Sequence, residues 1–479
     1  MNSTKFHRVW IYGTLTTKNT LHIGRGDVEM FEGEAGHYSA VCLDQHKKPY
    51  LPASSLRGFL AQVAEYHLQP NDCKELFGFM DEKDEEQAGQ AGQLYVYDAM
   101  LCRAAIFETE YTQPKQKFAQ KKFNETHTLL RSATSLNPIL GVVDEHHLFH
   151  LQVVPAGSVF SVKIMLNQVD EKKLTLVLKL LTGWDGSTQS ALGAGGGKGH
   201  GRIKWDLEQV KVLDSDNLKK WLASDQDSLK DHYQVLKEIP PLDPLPQPTG
   251  LQVKFDLIPH GSFLLNDPTY VDTGAEGTPK IAYSRTPAGH ALIPATALRG
   301  WVRGRVRRIL LTLLLQQKPE LAQAIEKSDK LVKELVDEIF GHEGQRGKVW
   351  FDDAVSAGVA ERCSQTFNAV DRFTGGVADT ALFSVEGARC EKLSGAVWLR
   401  KSLKAWQKGI LLLVVRDMLE GELGLGWGKS RGYGSFSVEL TVRKQSIKNY
   451  SDLKELVHDK MSKRWLPALE RKIHESSIA

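Results

Sequence analysis

Two aspartates stand at matched places in this chain: Asp27 lies eleven residues before Tyr38, and Asp272 lies eleven before Tyr283. Each falls in a glycine-containing loop after the first extended run of its half. An isolated loop carboxylate is most often a turn former, but recurrence at matched positions points to chemistry. A lone Asp cannot build a two-metal centre. It can position a ribose 2′-OH for attack on the adjacent phosphate, or help to hold Mg²⁺ or another divalent metal. His22, His37 and His200 are alternative acid–base groups, and only His260 offers a match in the second half.

Groups suited to a polyanion also come in pairs. The stretches Gly193-Ala-Gly-Gly-Gly-Lys-Gly-His-Gly201 and Gly424-Leu-Gly-Trp-Gly-Lys-Ser-Arg-Gly-Tyr-Gly434 let a ligand approach bare backbone N–H groups. Lys198, Arg202, Lys429 and Arg431 add positive charge. Neither stretch is a dinucleotide fingerprint, which opens a helix, because both follow helices and open strands. Neither is a Walker A loop, since Leu192 and Leu423 stand where its first glycine belongs.

A second pair is Pro52-Ala-Ser-Ser-Leu-Arg-Gly58 and Pro294-Ala-Thr-Ala-Leu-Arg-Gly300. In each, Pro ends an extended run and a hydroxyl residue (Ser54 or Ser55; Thr296) is expected to cap a helix. Arg57 and Arg299 fall in the first turn, where unpaired N–H groups favour an anion. In the second helix Arg299, Arg303 and Arg307 share one face at i, i+4 spacing, while Val302, Val306, Ile309 and Leu310 form the apolar one. Contacts of this sort would be sequence-independent and salt-sensitive.

The elements that must position these groups recur in one order. A strand at 8–16 precedes the first Asp loop, a helix at 54–67 and a strand at 93–99. An excursion at 110–147, a strand at 153–166, a helix at 172–181, the glycine loop and a strand from Arg202 follow. Five prolines between 239 and 250 mark a stiff linker. After it the pattern returns: strand 251–258, the second Asp loop, the capped helix, Leu382-Phe383 echoing Leu148-Phe149, an apolar helix at 404–419, the second glycine loop and a closing helix near 451–472. Such ordered echoes indicate tandem duplication. Each unit reads β-α-β-β-α-β, so the expected fold class is α+β with two tandem ferredoxin-like domains, 1–238 and 251–479.

Composition narrows the class. The chain has 479 residues, 41% hydrophobic and 25% charged, with a formal net charge of +3. That is a globular chain with no bulk polyanion signature, so any nucleic-acid reading rests on local clusters. The five cysteines are widely spaced without C-x-x-C, which argues against zinc and against a disulfide framework. No apolar run suits a membrane, and the N-terminus has no secretory pattern, so a cytoplasmic location is expected.

Together these residues resemble the RAMP superfamily of CRISPR-associated proteins, and among them the backbone subunits of type III effector complexes. The carriers are Pro-x-Ser-Ser-Leu-Arg-Gly after a strand, the two glycine loops, and Asn368-Ala-Val-Asp-Arg-Phe-Thr-Gly-Gly376 with Leu382-Phe383, which is similar to the family's thumb segment. Two copies in one chain look most similar to the fused backbone subunits of type III-D effectors. The resemblance implies an RRM-like core that grips CRISPR RNA, with thumbs at about 103–150 and 364–386 that intrude into the guide–target duplex. It also implies metal-dependent cleavage of complementary target RNA at Asp27 and Asp272, and neighbouring CRISPR effector subunits as partners. A non-catalytic capping subunit and a CRISPR RNA-processing ribonuclease using His22 or His200 are the rivals. The expected RNA contacts are Ser54, Ser55 and Arg57; Thr296, Arg299, Arg303 and Arg307; Lys198, His200 and Arg202; and Lys429, Arg431 and Tyr433, with Asp371, Arg372 and Phe373 at the thumb. Two features depart from the commonest family pattern. The family Asp falls at about Tyr38 and Tyr283, and the first thumb (Arg131-Ser-Ala-Thr-Ser) lacks the Asp-Arg-Phe-Thr-Gly run.

Overall fold

The structure, a computed structural model, describes every residue except 1–5, 31–36, 81–88, 106–124, 137–142, 183–190, 225–227, 238–249, 268–280, 287, 378–381, 422 and 479. Asp272 and nearly all of the proline-rich linker lie outside the described residues.

In the first unit, β1 (Phe6–Thr17) alternates as a half-buried strand must: Val9, Ile11 and Leu15 face the core, while Arg8, Trp10 and Tyr12 face away. It is flanked antiparallel by β8 (Val159–Val169) and β9 (Ile203–Asp214). Both β4 (Leu94–Val96) and β5 (Ala99–Arg103) pair with the far side of β8. The expected strand at 93–99 is therefore two short strands, broken at Tyr97 and Asp98. Helices α1 (Ala53–His67) and α3 (Glu171–Thr182) close the inner face. Leu56, Phe59, Leu60 and Val63 of α1 join Leu174, Val177, Leu178 and Leu181 of α3 in one core with Val9, Ile11 and Leu15. Each such side chain, fully buried, contributes roughly 1.5–3 kcal/mol. Helix α2 (Pro70–Phe77) follows α1.

A second, four-stranded sheet runs β2 (Gly24–Met30), β3 (His37–Val41), β7 (Val143–Val153), β6 (Leu129–Leu136). Strands β6 and β7 come from the excursion after β5, so the expected thumb segment and the Asp27 strand share one sheet.

The second unit repeats this plan. Its sheet contains β18 (Phe436–Val442), β10 (Gly250–Pro259), β17 (Leu393–Arg400), β14 (Ala354–Val359) and β12 (His290–Ile293) in that order, with β13 (Val349–Phe351) also on β17. The side sheet is β11 (Ile281–Ala282), β16 (Phe383–Arg389) and β15 (Glu361–Phe367). Helix α4 (Ala295–Gln317) buries Leu298, Val302, Val306, Leu310 and Leu314, and α5 (Ile325–Phe340) and α6 (Ala405–Leu419) pack with it. The expected closing helix is α7 (Tyr450–Lys460) and α8 (Leu466–Ile478), joined by a π turn at Met461–Trp465.

Candidate nucleic-acid interface

Both capped helices start differently from the expectation. Neither Ser54, Ser55 nor Thr296 makes a side-chain cap, and the N-cap positions are Pro52 and Pro294. A carboxylate from the next strand does the capping instead. The Ala53 N–H donates to Asp98 Oδ1 at 2.7 Å, and the Ala295 N–H donates to Asp353 Oδ1 at 2.8 Å. The positive end of each helix therefore already faces a protein anion. The two arginines are tied down alike. Arg57 donates to the Phe77 carbonyl, and Arg299 Nη2 donates to the Phe340 carbonyl at 2.7 Å, each with its guanidinium over that phenyl ring. Each arginine fastens its own helix to the end of the next one, so neither helix start is the open phosphate seat that the sequence suggests.

The arginine stripe of α4 faces α5. Arg303 Nη2 lies 3.0 Å from Asp337 Oδ1, and Arg307 pairs with Asp329. Arg305 Nε bonds Asp417 Oδ2 on α6 at 2.6 Å. Spacing offers Arg303 and Arg307 to RNA, but α5 brings carboxylates to meet them, as α6 does for Arg305.

Backbone bonds fix how the two glycine loops correspond. Leu192 N–H donates to Gly201 O and Leu425 N–H to Gly434 O, both at 2.9 Å; Lys198 N–H donates to Gly195 O and Arg431 N–H to Gly428 O, both at 2.7 Å. Lys198 thus matches Arg431, and His200 matches Tyr433; the two Gly-Lys pairs are not equivalent. The first loop is also a seam between the units. Gly199 has φ +87°, and a Cβ there would stand 2.5 Å from Ala295 Cβ and 3.2 Å from Asp353 Oδ1, so only glycine lets the loop sit this close to α4. Arg202, buried, places Nη1 2.5 Å from Asp352 Oδ2 and its guanidinium 4.4 Å over Trp398. Trp398 Nε1 donates to the same oxygen at 3.2 Å, and Arg131 Nη2 stands 3.4 Å from Asp353 Oδ2. Burial pushes Asp352 up to about 6, although Arg202 and Trp398 pull the other way; burial also raises Asp353. Of the expected RNA contacts, Arg202 is a structural ion pair, and buried His200 bonds Thr20 Oγ1 through Nδ1 at 2.6 Å. Burial, with the charges of Arg131, His22 and Lys198, holds His200 down to about 3, so the ring is neutral. Lys198 remains exposed, with Nζ 5.9 Å over Phe149.

The second loop is open. Gly432, the counterpart of Gly199, has φ +80° and no described atom within 4 Å of a built Cβ. Lys429 and Arg431 are exposed, while Tyr433 is buried with its hydroxyl donating to Gln365 Oε1 at 2.6 Å. The thumb hairpin β15–β16 projects beside it. At its tip Asp371 Oδ1 accepts the N–H groups of Phe373 at 2.9 Å and Thr374 at 2.8 Å. This Asx turn leaves Arg372 exposed and Phe373 99% exposed.

Asp27 lies on β2 with its side chain 70% exposed, 3.7 Å from Arg25 Nη2; Arg25 also pairs with Glu29 at 2.6 Å. The matched spacing to the tyrosines does not survive. Cys42 N–H donates to Ile23 O as Ser284 N–H donates to Leu265 O, so Tyr283 corresponds to Val41, and Tyr38 is a separate buried residue bonded to Glu29. Equal counting concealed a three-residue shift in register. Among the described residues no group of three or more His, Cys, Asp or Glu could hold a metal. Asp27 therefore fits a divalent ion only as one ligand, with RNA phosphates and water supplying the rest, which is common for Mg²⁺. His22 is also buried, Nδ1 bonding Gln152 O at 2.7 Å, and burial lowers its pKa; neither it nor His200 offers an open ring to a ribose. His260 is exposed between Ser435 and Ser437 Oγ.

Sequence reading missed Asp98, Asp353, Asp352 and Arg131. One signal was available: Asp98-Ala99 and Asp353-Ala354 end the matched strand in both halves.

Two copies of one mixed sheet-and-helix unit, each pairing a glycine loop with a side sheet, define a tandem-repeat α+β protein. The RAMP superfamily model matches residues 14–204 and 267–437, so the chain belongs to the RAMP superfamily, whose members are CRISPR-associated RNA-binding proteins. No curated protein matches the chain significantly.

Proposed function

We propose that this protein is a guide-RNA-binding backbone subunit of a type III CRISPR effector, with two ferredoxin-like units fused as in type III-D, and that it presents complementary target RNA for cleavage. The observation that carries the reading is the second unit's open groove, where Arg431 of the glycine loop reaches the rings of the thumb strands beside exposed Lys429. The sheet order, with the unit's last strand beside its first and the first beside its third, supports the ferredoxin-like class.

The seam supports other effector subunits as partners. Its seat on the second unit is Trp350, Asp352, Asp353 and Trp398. The matching residues of the first unit are Tyr95, Tyr97, Asp98 and Met165, related by the register Met165↔Tyr95 and Trp398↔Trp350. Tyr95 and Tyr97 are about two-fifths exposed. A neighbour bearing a basic glycine loop fits there.

Asp27 is the proposed cleaving residue of the first unit, because its strand belongs to the thumb sheet; Asp272, three residues out of that register and outside the described residues, is proposed for the second unit from the sequence alone. A divalent ion held with Asp27 would act as a Lewis acid on the scissile phosphate. In a reconstituted effector, Asp27→Ala should remove one defined target product and leave guide binding intact. An unchanged product ladder would leave the chain a binding subunit only. Metal-independent cutting of repeat RNA by the isolated chain would favour the processing ribonuclease.

A further inference from the structure

The two grooves differ at the root of the thumb, and the difference lies in aromatic rings. In the second unit Phe367, Phe383 and Trp427 form one cluster. Phe367 stacks on Phe383 at 5.7 Å between centroids, and Trp427 meets them edge-on at 5.5 and 6.3 Å. Arg431 lies over all three, 5.2 Å from Trp427, 5.7 Å from Phe367 and 6.0 Å from Phe383. These rings are only partly buried, and exposed Leu382, Val377 and Phe373 continue the apolar surface along the thumb.

Among the described residues the first unit has no such nest. Pairing of Ala133 with Phe149 matches that of Phe367 with Phe383, so alanine replaces one phenyl ring. Ala194 stands at the place of Trp427, since its N–H bonds His22 O as that of Trp427 bonds Leu264 O. Among the described residues, Phe149 with Lys198 above it remains.

We infer that the nest of the second unit is a stacking site for one unpaired nucleobase of bound single-stranded RNA, with purine preferred, and that the first unit grips sugar-phosphate without one. Partly exposed rings beside a cation are what single-strand binders use, because every base has a π-face and a guanidinium adds a cation–π contact. A purine offers the larger face. A protein loop could use the apolar surface but would gain little from the guanidinium of Arg431 beside it. The inference rests on the RNA-binding reading above.

The test uses the full chain with an oligouridine strand and the same strand carrying a single 2-aminopurine. The expected result is tighter binding of the substituted strand with quenching of its fluorescence. Trp427→Ala should abolish the quenching and weaken binding of the substituted strand about 5- to 100-fold. Trp427→Phe should keep part of both. Arg431→Ala, at an exposed position, should lower both without disturbing the fold, and Ala194→Trp should add a second quenching site. Quenching that persists in Trp427→Ala and Arg431→Ala overturns the nest while leaving RNA binding intact. Failure to bind either strand overturns both readings.

Discussion

Arg202 and Asp352 are the two halves of a nearly dry ion pair, and removing either leaves the other stranded. The side chains are 9% and 18% exposed, and the guanidinium also covers the Trp398 ring. Arg202→Met leaves Asp352 with Trp398 Nε1 as its remaining partner among the described contacts to that oxygen. Breaking one side of a buried pair costs about 3–5 kcal/mol, and loss of a desolvated cation–π contact, worth up to ~2 kcal/mol, lies within that sum. Asp352→Leu should cost a similar amount by stranding Arg202 against tryptophan. The double variant replaces the pair with apolar groups of like size, so its cost should fall below about 1 kcal/mol. The measurement is a double-mutant cycle from urea denaturation followed by circular dichroism. Single costs under about 1 kcal/mol, or a double cost equal to their sum, would refute the view that the seam is held by this pair.

Asp98→Ala should lose a helix cap worth about 0.5–2 kcal/mol, and Asp353→Ala should lose more because it also frees Arg131; thermal melts check the order. Burial holds Asp352 at about 6, above its ordinary 3.8, so through this group stability gains as pH falls from 6 toward 4. His200, held near 3 against an ordinary 6.5, does the opposite: stability is lost as pH falls from 6.5 toward 3. The His200→Gln variant should therefore show the gain on acidification more clearly, and Asp352→Asn the loss, in denaturation curves across that range. Phe373→Ala, at a 99% exposed thumb tip, should shift stability by less than about 0.5 kcal/mol while altering target-RNA binding by the assembled effector in a filter assay.

The duplication was readable because apolar periodicity and glycine spacing survive copying: α1, α3 and α6 lie within a residue of their expected starts. Function by analogy of count fared less well. Tyr38 and Tyr283 share a spacing to an Asp but not a register: the matched bonds Cys42 to Ile23 and Ser284 to Leu265 span equal lengths of chain and set Tyr283 at the place of Val41, which only the hydrogen bonds reveal. The arginine stripe of α4 was legible as a stripe, but a helix wheel cannot show that Asp329 and Asp337 arrive from another helix. Capping by Asp98 and Asp353 was hidden because the carboxylate lies some forty-five or more residues from the N–H it satisfies.

Joining two units in one chain has a consequence for growth. The seam is a head-to-tail contact whose two faces differ, a kind that does not close on itself by pairing. Tethering gives the first such contact an effective concentration on the order of millimolar, so it forms before any encounter in solution. A row of these chains would lengthen two places at a time, and odd vacancies could be filled only by a protein carrying a single unit.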